Sequence, residues 1–492
     1  MSDARGAQRP TVGVRFPLAP DGRRSTSAVG RSVVAAALRP VDPAGSRAAE
    51  QETAWRSEYL IHFRRVVESG VGDPSAADTI ARSGLQALRS AMVVGSEAGD
   101  SKLDDWSLEA EVPATAEVVG AGEPESELSL PYRGTRLRGD DLRRRLDAWV
   151  AAGVLEPTVG DAVRTVLDHP DWLRLDGRTV AVLGAGAEMG PLIPLLRWGA
   201  RVAAVDLPRE GLWSRLLTEA RKRSGRLVLP TRTGEADPAE AGADLVSAAP
   251  VIADWLASVV SADQLVVGNY VYADGAANVA VSVAVDVLST RLLAARPDTA
   301  LAFLATPTDV FAVPGDAVRQ STQAYESRST AAKVVGRPLR TLSGGRLLRR
   351  AYAVGSDPGI IDALVPQQGP NYALAKRLQR WRATVARRDG GLVSMNVAPP
   401  TRTRSVVKNR ALAAAYAGAH RFGVEVFESA TSNVLMAALL VHDLHTDGGP
   451  RHAEPWQDEA YAAAHGGLWR LPYAPRSILG MAALFGWGAA RR

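Results

Sequence analysis

The 492-residue chain has no cysteine, which excludes disulfides, thiolate metal ligands and a cysteine nucleophile. Such a composition suits a reducing compartment, and a cytoplasmic location is the expectation. No apolar run reaches the ~20 residues that a membrane-spanning helix needs, so no integral membrane segment is expected. The longest late run, Ile478–Ala489, lies between Arg476 and Arg491-Arg492 and reads as a packed terminal helix or a contact between copies in a homo-oligomer. The first thirty residues lack the continuous apolar core of a secretory signal. Charge of one sign is also scarce in excess: 58 basic and 53 acidic residues leave a net charge of +5. Arg143-Arg144-Arg145 and Arg349-Arg350 therefore read as solvated helix faces, and no nucleic-acid partner is expected. His442, His445 and His452, with Asp443 and Asp447, read as a surface turn, so no metal site is assigned.

What is present is enough chain for two or three structural units. Residues 1–49 mix Gly, Pro, Ser and Arg without lasting periodicity and read as a mobile segment. Residues 50–175 read as a helical region, with Trp55, Tyr59, Phe63 and Val66 at helical spacing and an acidic linker over 99–127. From Arg178 short apolar runs alternate with helical stretches. Val180–Leu183, Arg201–Val205, Arg226–Leu229, Asp244–Ser247, Gln264–Val267, Ala300–Ala305 and Leu392–Asn396 read as strands. This alternation predicts an α/β fold, a doubly wound parallel sheet of Rossmann-like type over 176–445. The Gly-, Pro- and Arg-rich stretch 311–368 reads as an insertion, and 446–492 as a C-terminal tail.

The strand Val180–Leu183 runs into Gly184-Ala185-Gly186-Ala187-Glu188-Met189-Gly190 and then a helix. Glycine there permits backbone angles that a side chain hinders, and lets N–H groups at a helix start approach a pyrophosphate. Asp206 ends the next strand, where a carboxylate accepts hydrogen bonds from ribose hydroxyls and repels a 2′-phosphate. The cofactor expectation is therefore NAD, held by Gly184, Ala185, Gly186, Met189, Gly190 and Asp206. Arg209 nearby softens that preference, so NADP stays open. Glu188 is out of place beside a phosphate: either it points away or the ligand is not a pyrophosphate.

Further on, Tyr372-x-x-x-Lys376 occupies a helix, and a strand then ends in Asn396-Val-Ala-Pro399-Pro400-Thr-Arg-Thr403. Residues four apart share a helix face, so an ammonium can sit beside the phenol and lower a pKa that starts near ~10. These motifs, with the opening Gly184–Asp206, resemble the short-chain dehydrogenase/reductase family over roughly Arg178 to His445. In that family the cofactor turn is Gly-x-x-x-Gly-x-Gly; Gly184 and Gly190 match its ends, while Glu188 replaces the middle glycine. The resemblance implies NAD(P)-dependent hydride transfer between nicotinamide and a carbonyl or hydroxyl group of a small-molecule substrate. It makes Tyr372 the acid/base and Lys376 its partner, with Thr306 or Thr308 orienting the substrate oxygen. Asn278 resembles the helix asparagine that supports a water relay to the lysine. The family's Asn-Asn-Ala-Gly appears as Ser247-Ala-Ala-Pro250, and about sixty residues separate Thr308 from Tyr372 where the family has about a dozen.

Two other readings share the same residues. A strand, a Gly-x-Gly turn and an acid also describe the cofactor site of S-adenosylmethionine methyltransferases, where Glu188 meets no pyrophosphate. A non-catalytic nucleotide-binding scaffold would keep the fold and lose the chemistry, because one fold hosts many activities.

Overall fold

The computed structural model describes residues 12–488 except 20, 98, 108–109 and 261–262. The first eleven residues and the Arg491-Arg492 pair thus lie outside the described residues. Seven strands form the central sheet: β1 (Ala114–Val119), β2 (Arg178–Leu183), β3 (Arg201–Val205), β4 (Arg226–Thr231), β5 (Gln264–Asn269), β6 (Ala300–Ala305) and β7 (Val393–Val397). Their spatial order is β7-β6-β5-β2-β3-β4-β1. The six strands β2 to β7 pair in parallel, and β1 is an antiparallel edge. Counted from β2, the parallel strands run 3-2-1-4-5-6, the doubly wound order of dinucleotide-binding folds. The order reverses between β2 and β5, which opens a crevice at their carboxyl ends.

The strands can be apolar on both sides because helices cover both faces. In β2, Ala181 and Leu183 enter one core while Val180 and Val182 enter the other. On the first face lie α1 (Leu245–Val259), α2 (Ala276–Ala295) and α3 (Gly369–Arg388). The second face carries α5 (Ser429–His445), which follows α4 (Arg410–Gly418) in the chain. The last described helix is α6 (Pro475–Gly486). Among the described residues, α2 is the helix long and apolar enough to cross a membrane. It packs between α1 and α3, so its all-round apolarity comes from burial on most sides.

Several expectations change. Asp244–Ser247 is not a strand: Asp244 caps α1 by accepting the Val246 N–H at 2.9 Å. The turn after the fourth parallel strand is therefore Asn269–Gly275, not Ser247–Pro250. The acidic stretch expected as a linker supplies β1, whose Ala116 and Val118 reach the core on one face while Thr115 and Glu117 face outward. Within the segment expected to be mobile, Thr26–Leu38 is a helix whose Val33, Val34, Ala35 and Leu38 are fully buried. The 311–368 stretch contains a pair of antiparallel strands, Val310–Val313 with Gly359–Asp362, and the helices Gly315–Glu326 and Thr330–Leu342.

A buried ionic network pins α3 to the loop that follows β6. Asp309 accepts from Arg377 at 3.1 Å and from Arg380 at 2.7 Å, and Arg380 also holds Glu459. Burial alone would lift the Asp309 carboxyl, but the two guanidiniums outweigh it and hold it below the usual range. Removing one partner strands charge in a low-dielectric interior. Asp309→Ala is expected to lower unfolding stability by about 3–5 kcal/mol in urea denaturation followed by tryptophan fluorescence; a loss under about 1 kcal/mol would remove the network from the account.

Candidate functional site at the carboxyl edge of the sheet

The turn after β2 meets the loop after β5 backbone to backbone. Gly184 has φ +83°, and a Cβ there would lie 2.9 Å from the Tyr270 carbonyl oxygen. Only glycine suits both demands. Asp206, at the end of β3, closes the turn: one carboxylate oxygen accepts from the Gly186 N–H at 2.8 Å, the other from its neighbour Leu207 at 2.7 Å. Each oxygen keeps further acceptor capacity.

The expected phosphate cradle is altered. The N–H groups of Gly184 and Ala185 are bonded to Val205, that of Gly186 to Asp206, that of Ala187 to Gly184 and that of Gly190 to Ala187. Among the described residues, the N–H groups of Glu188 and Met189 are the ones in this turn without such a partner. The following helix, Leu192–Arg197, is six residues long and starts two residues beyond Gly190, so the helix start expected at the glycine turn lies past it. Glu188 points away from the turn. Its carboxylate accepts from the Arg404 backbone N–H at 2.8 Å and pairs with the Arg404 guanidinium at 3.1 Å. The segment after β7 therefore straps across the crevice beside Tyr272, whose hydroxyl donates to Asp274 at 3.0 Å.

Tyr372 and Lys376 come to the same edge. Tyr372 faces Thr306, whose hydroxyl lies 2.8 Å from the Thr308 hydroxyl. All three follow or face the carboxyl end of β6. Strand spacing of ~4.8 Å puts the ends of β2 and β6 about 10 Å apart. Tyr272 bridges the interval, because it belongs to the loop that touches Gly184 and its ring meets the Tyr372 ring edge-on at 6.3 Å. The late phenol and ammonium thus share the crevice edge with the early glycine turn.

The electrostatics differ from the expected activation. Lys376 Nζ does not bond the phenol: it donates to the Leu304 carbonyl at 3.2 Å and to Gln379 Oε1 at 3.0 Å. Gln379 in turn donates to Asn269 at 3.3 Å. Burial brings the Lys376 ammonium down to about 8 against the pull of Asp309. Burial likewise lifts the Tyr372 phenol to about 12, with Thr306 opposing and Asp309 reinforcing the rise. The tyrosine is held protonated, not as phenolate. Asn278 does not join the cluster: its Oδ1 accepts the Ala273 N–H at 3.1 Å and shapes the loop into α2.

Sequence reasoning missed Asn269, Gln379, Tyr272 and Asp309. Asn269 ends an apolar strand, the kind of position where a lone polar residue signals a role. Gln379 carried no signal, since helix glutamines are ordinarily solvated. One buried acceptor at this edge lacks a donor, Asn396 Oδ1, whose amide nitrogen bonds Ser394 and Asp443. It borders a small crevice with Met189, Pro191 and Tyr270.

No protein-family model matches the chain, and no curated protein matches it. Among solved structures that match is the terminal R domain from the myxalamid PKS-NRPS biosynthetic pathway, at 15% identity and a TM-score of 0.27, covering 54% of this chain and 62% of that one. The match thus spans less than two thirds of that structure. The class of the protein rests instead on the strand order and the crevice: a doubly wound α/β protein with a mixed sheet.

Because Lys376 sits near 8 when folded and near ~10.4 when unfolded, the unfolded chain binds the extra proton between those values. Stability from this group therefore rises as pH goes from about 8 towards 10, and is lost as pH falls back through 8. Thermal unfolding across that window is expected to show the rise in the native chain and to lose it in Lys376→Met; identical slopes would contradict the half-buried ammonium.

Proposed function

We propose that the chain is a nicotinamide-dependent oxidoreductase similar to short-chain dehydrogenases/reductases, acting as a carbonyl reductase. The observation that carries the reading is the hydroxyl cluster Tyr372–Thr306–Thr308 at the same sheet edge as the Gly184 turn and Asp206. The residues present fit such a cofactor. Asp206 retains acceptor capacity for ribose hydroxyls, Glu188 and Met189 offer N–H groups to phosphate, and Asn396 Oδ1 awaits a donor such as a carboxamide. NAD is favoured by Asp206; Arg215, whose guanidinium lies 3.5 Å from where a Gly186 Cβ would sit, is the residue that would admit NADP.

When bound, the nicotinamide supplies the hydride that converts a carbonyl carbon to a carbinol. Tyr372, kept protonated near neutral pH, donates its proton to the carbonyl oxygen as negative charge develops there. Thr306 and Thr308 orient that oxygen. Lys376 acts as a positioning residue, holding the ends of β5 and β6 in register with α3 through Gln379 and Leu304.

NAD(P)H oxidation with a carbonyl panel tests the reading. Tyr372→Phe is expected to cut kcat by about 10²–10⁴-fold while leaving the calorimetric dissociation constant for NADH within twofold. Retained turnover in that variant rejects the assigned role, and binding of S-adenosylmethionine in place of NADH would transfer the site to methyl transfer.

A further inference from the structure

Beside the hydroxyl cluster lies a second cavity, open at its mouth, with about 70 Å³ of room for the centre of a water-sized molecule. Thr308 is among its lining residues, and most of the other walls come from α4, α6 and the segments next to them in the chain. Val365, Phe422, Val424, Ile478 and Leu479 dominate the lining. Its polar members besides Thr308 are Tyr416 and Arg476. The Arg476 charge is already taken, since its guanidinium meets Asp362 at 2.5 Å. Among the described residues no free cation remains in the lining to receive a carboxylate or phosphate, and an unpaired anion there would be desolvated without compensation.

The wall is built to stay in place. A Cβ at Gly418 would fall 2.0 Å from the Ala482 carbonyl, and one at Gly486 would fall 2.0 Å from the Ala414 carbonyl. α4 and α6 therefore touch backbone to backbone, and small side chains, Ala415 and Ala482, face the cavity and set its width. The room in the cavity exceeds the ~10–15 Å³ that one water needs, and its lining is almost wholly apolar.

We infer that this cavity binds a largely apolar, uncharged carbonyl compound, with the carbonyl end at Thr308 and the hydrocarbon body along α4 and α6. As a substrate assignment it rests on the redox reading above; as a ligand class it rests on the cavity alone. Hydride adds to the carbonyl carbon, the C=O π electrons pass to oxygen, and the Tyr372 proton completes the alcohol, so reduced nicotinamide is the named reductant.

Calorimetry without cofactor, using 2-alkanones from butanone to decanone, reads the cavity directly. Affinity is expected to rise about fourfold per added methylene, from ~0.8 kcal/mol per buried CH₂, until the cavity is full. Oxo-acids of equal length, with a terminal carboxylate, are expected to bind at least tenfold more weakly. Ala415→Trp should flatten the ladder, and Leu479→Ala should extend it to longer chains, so that a misfolded first variant still leaves a test. Affinity independent of chain length, or preference for the oxo-acids, overturns the inference even if ketones are reduced. A steep ladder without any NAD(P)H oxidation supports the ligand class and sinks the redox reading alone.

Discussion

Asp309 sits between two arginines of α3 in a region from which water is excluded, and the placement of the proposed chemistry depends on that contact. The aspartate follows directly after Thr308, so the ionic bond that holds it also fixes Thr306 and Thr308. Arg377 follows Lys376 directly and Arg380 lies one turn beyond it, so the same bond fixes Tyr372 and Lys376 against the sheet edge. A buried ion pair contributes little net stability compared with apolar packing of the same volume. What it supplies here is registry: a helix free to slide would carry Tyr372 away from Thr306.

The crevice follows from topology more than from composition. Reversal of strand order between β2 and β5 leaves their two loops diverging, and Gly184 lets those loops meet at van der Waals distance. Glu188, the residue least suited to a phosphate site, is drawn aside by Arg404 of the strap after β7. The tyrosine and the lysine are both half-buried, and loss of water raises the phenol and lowers the ammonium. Both outcomes come from desolvation, which overrides the pairing that i, i+4 spacing suggests.

Much of the sheet was legible in residue pattern. Buried parallel strands are continuous apolar runs, and β2, β3, β5 and β6 all read correctly on that ground. Asp244–Ser247 misled because a short apolar run beginning a helix has the same composition as a strand, and its capping aspartate was the overlooked signal. β1 was hidden because an edge strand buries only one side and carries charges on the other. The helix Thr26–Leu38 was hidden by the Gly-, Pro- and Arg-rich residues around it. At the site, Tyr372, Lys376, Gly184 and Asp206 were identifiable by spacing. Gln379, Asn269 and Asp309 were not, because their roles come from neighbours 68 to 110 positions away.

Local order along the chain was enough to determine an alternating α/β architecture, a glycine turn closed by an acid, and a tyrosine–lysine pair on one helix, since each depends on spacings of a few residues. Only the tertiary structure decided that the phenol stays protonated, that the lysine bonds backbone and glutamine instead, that Asn278 serves a loop, and that an apolar cavity opens at Thr308. Those are matters of burial and of which distant groups share a low-dielectric space. Neither is encoded in separation along the chain.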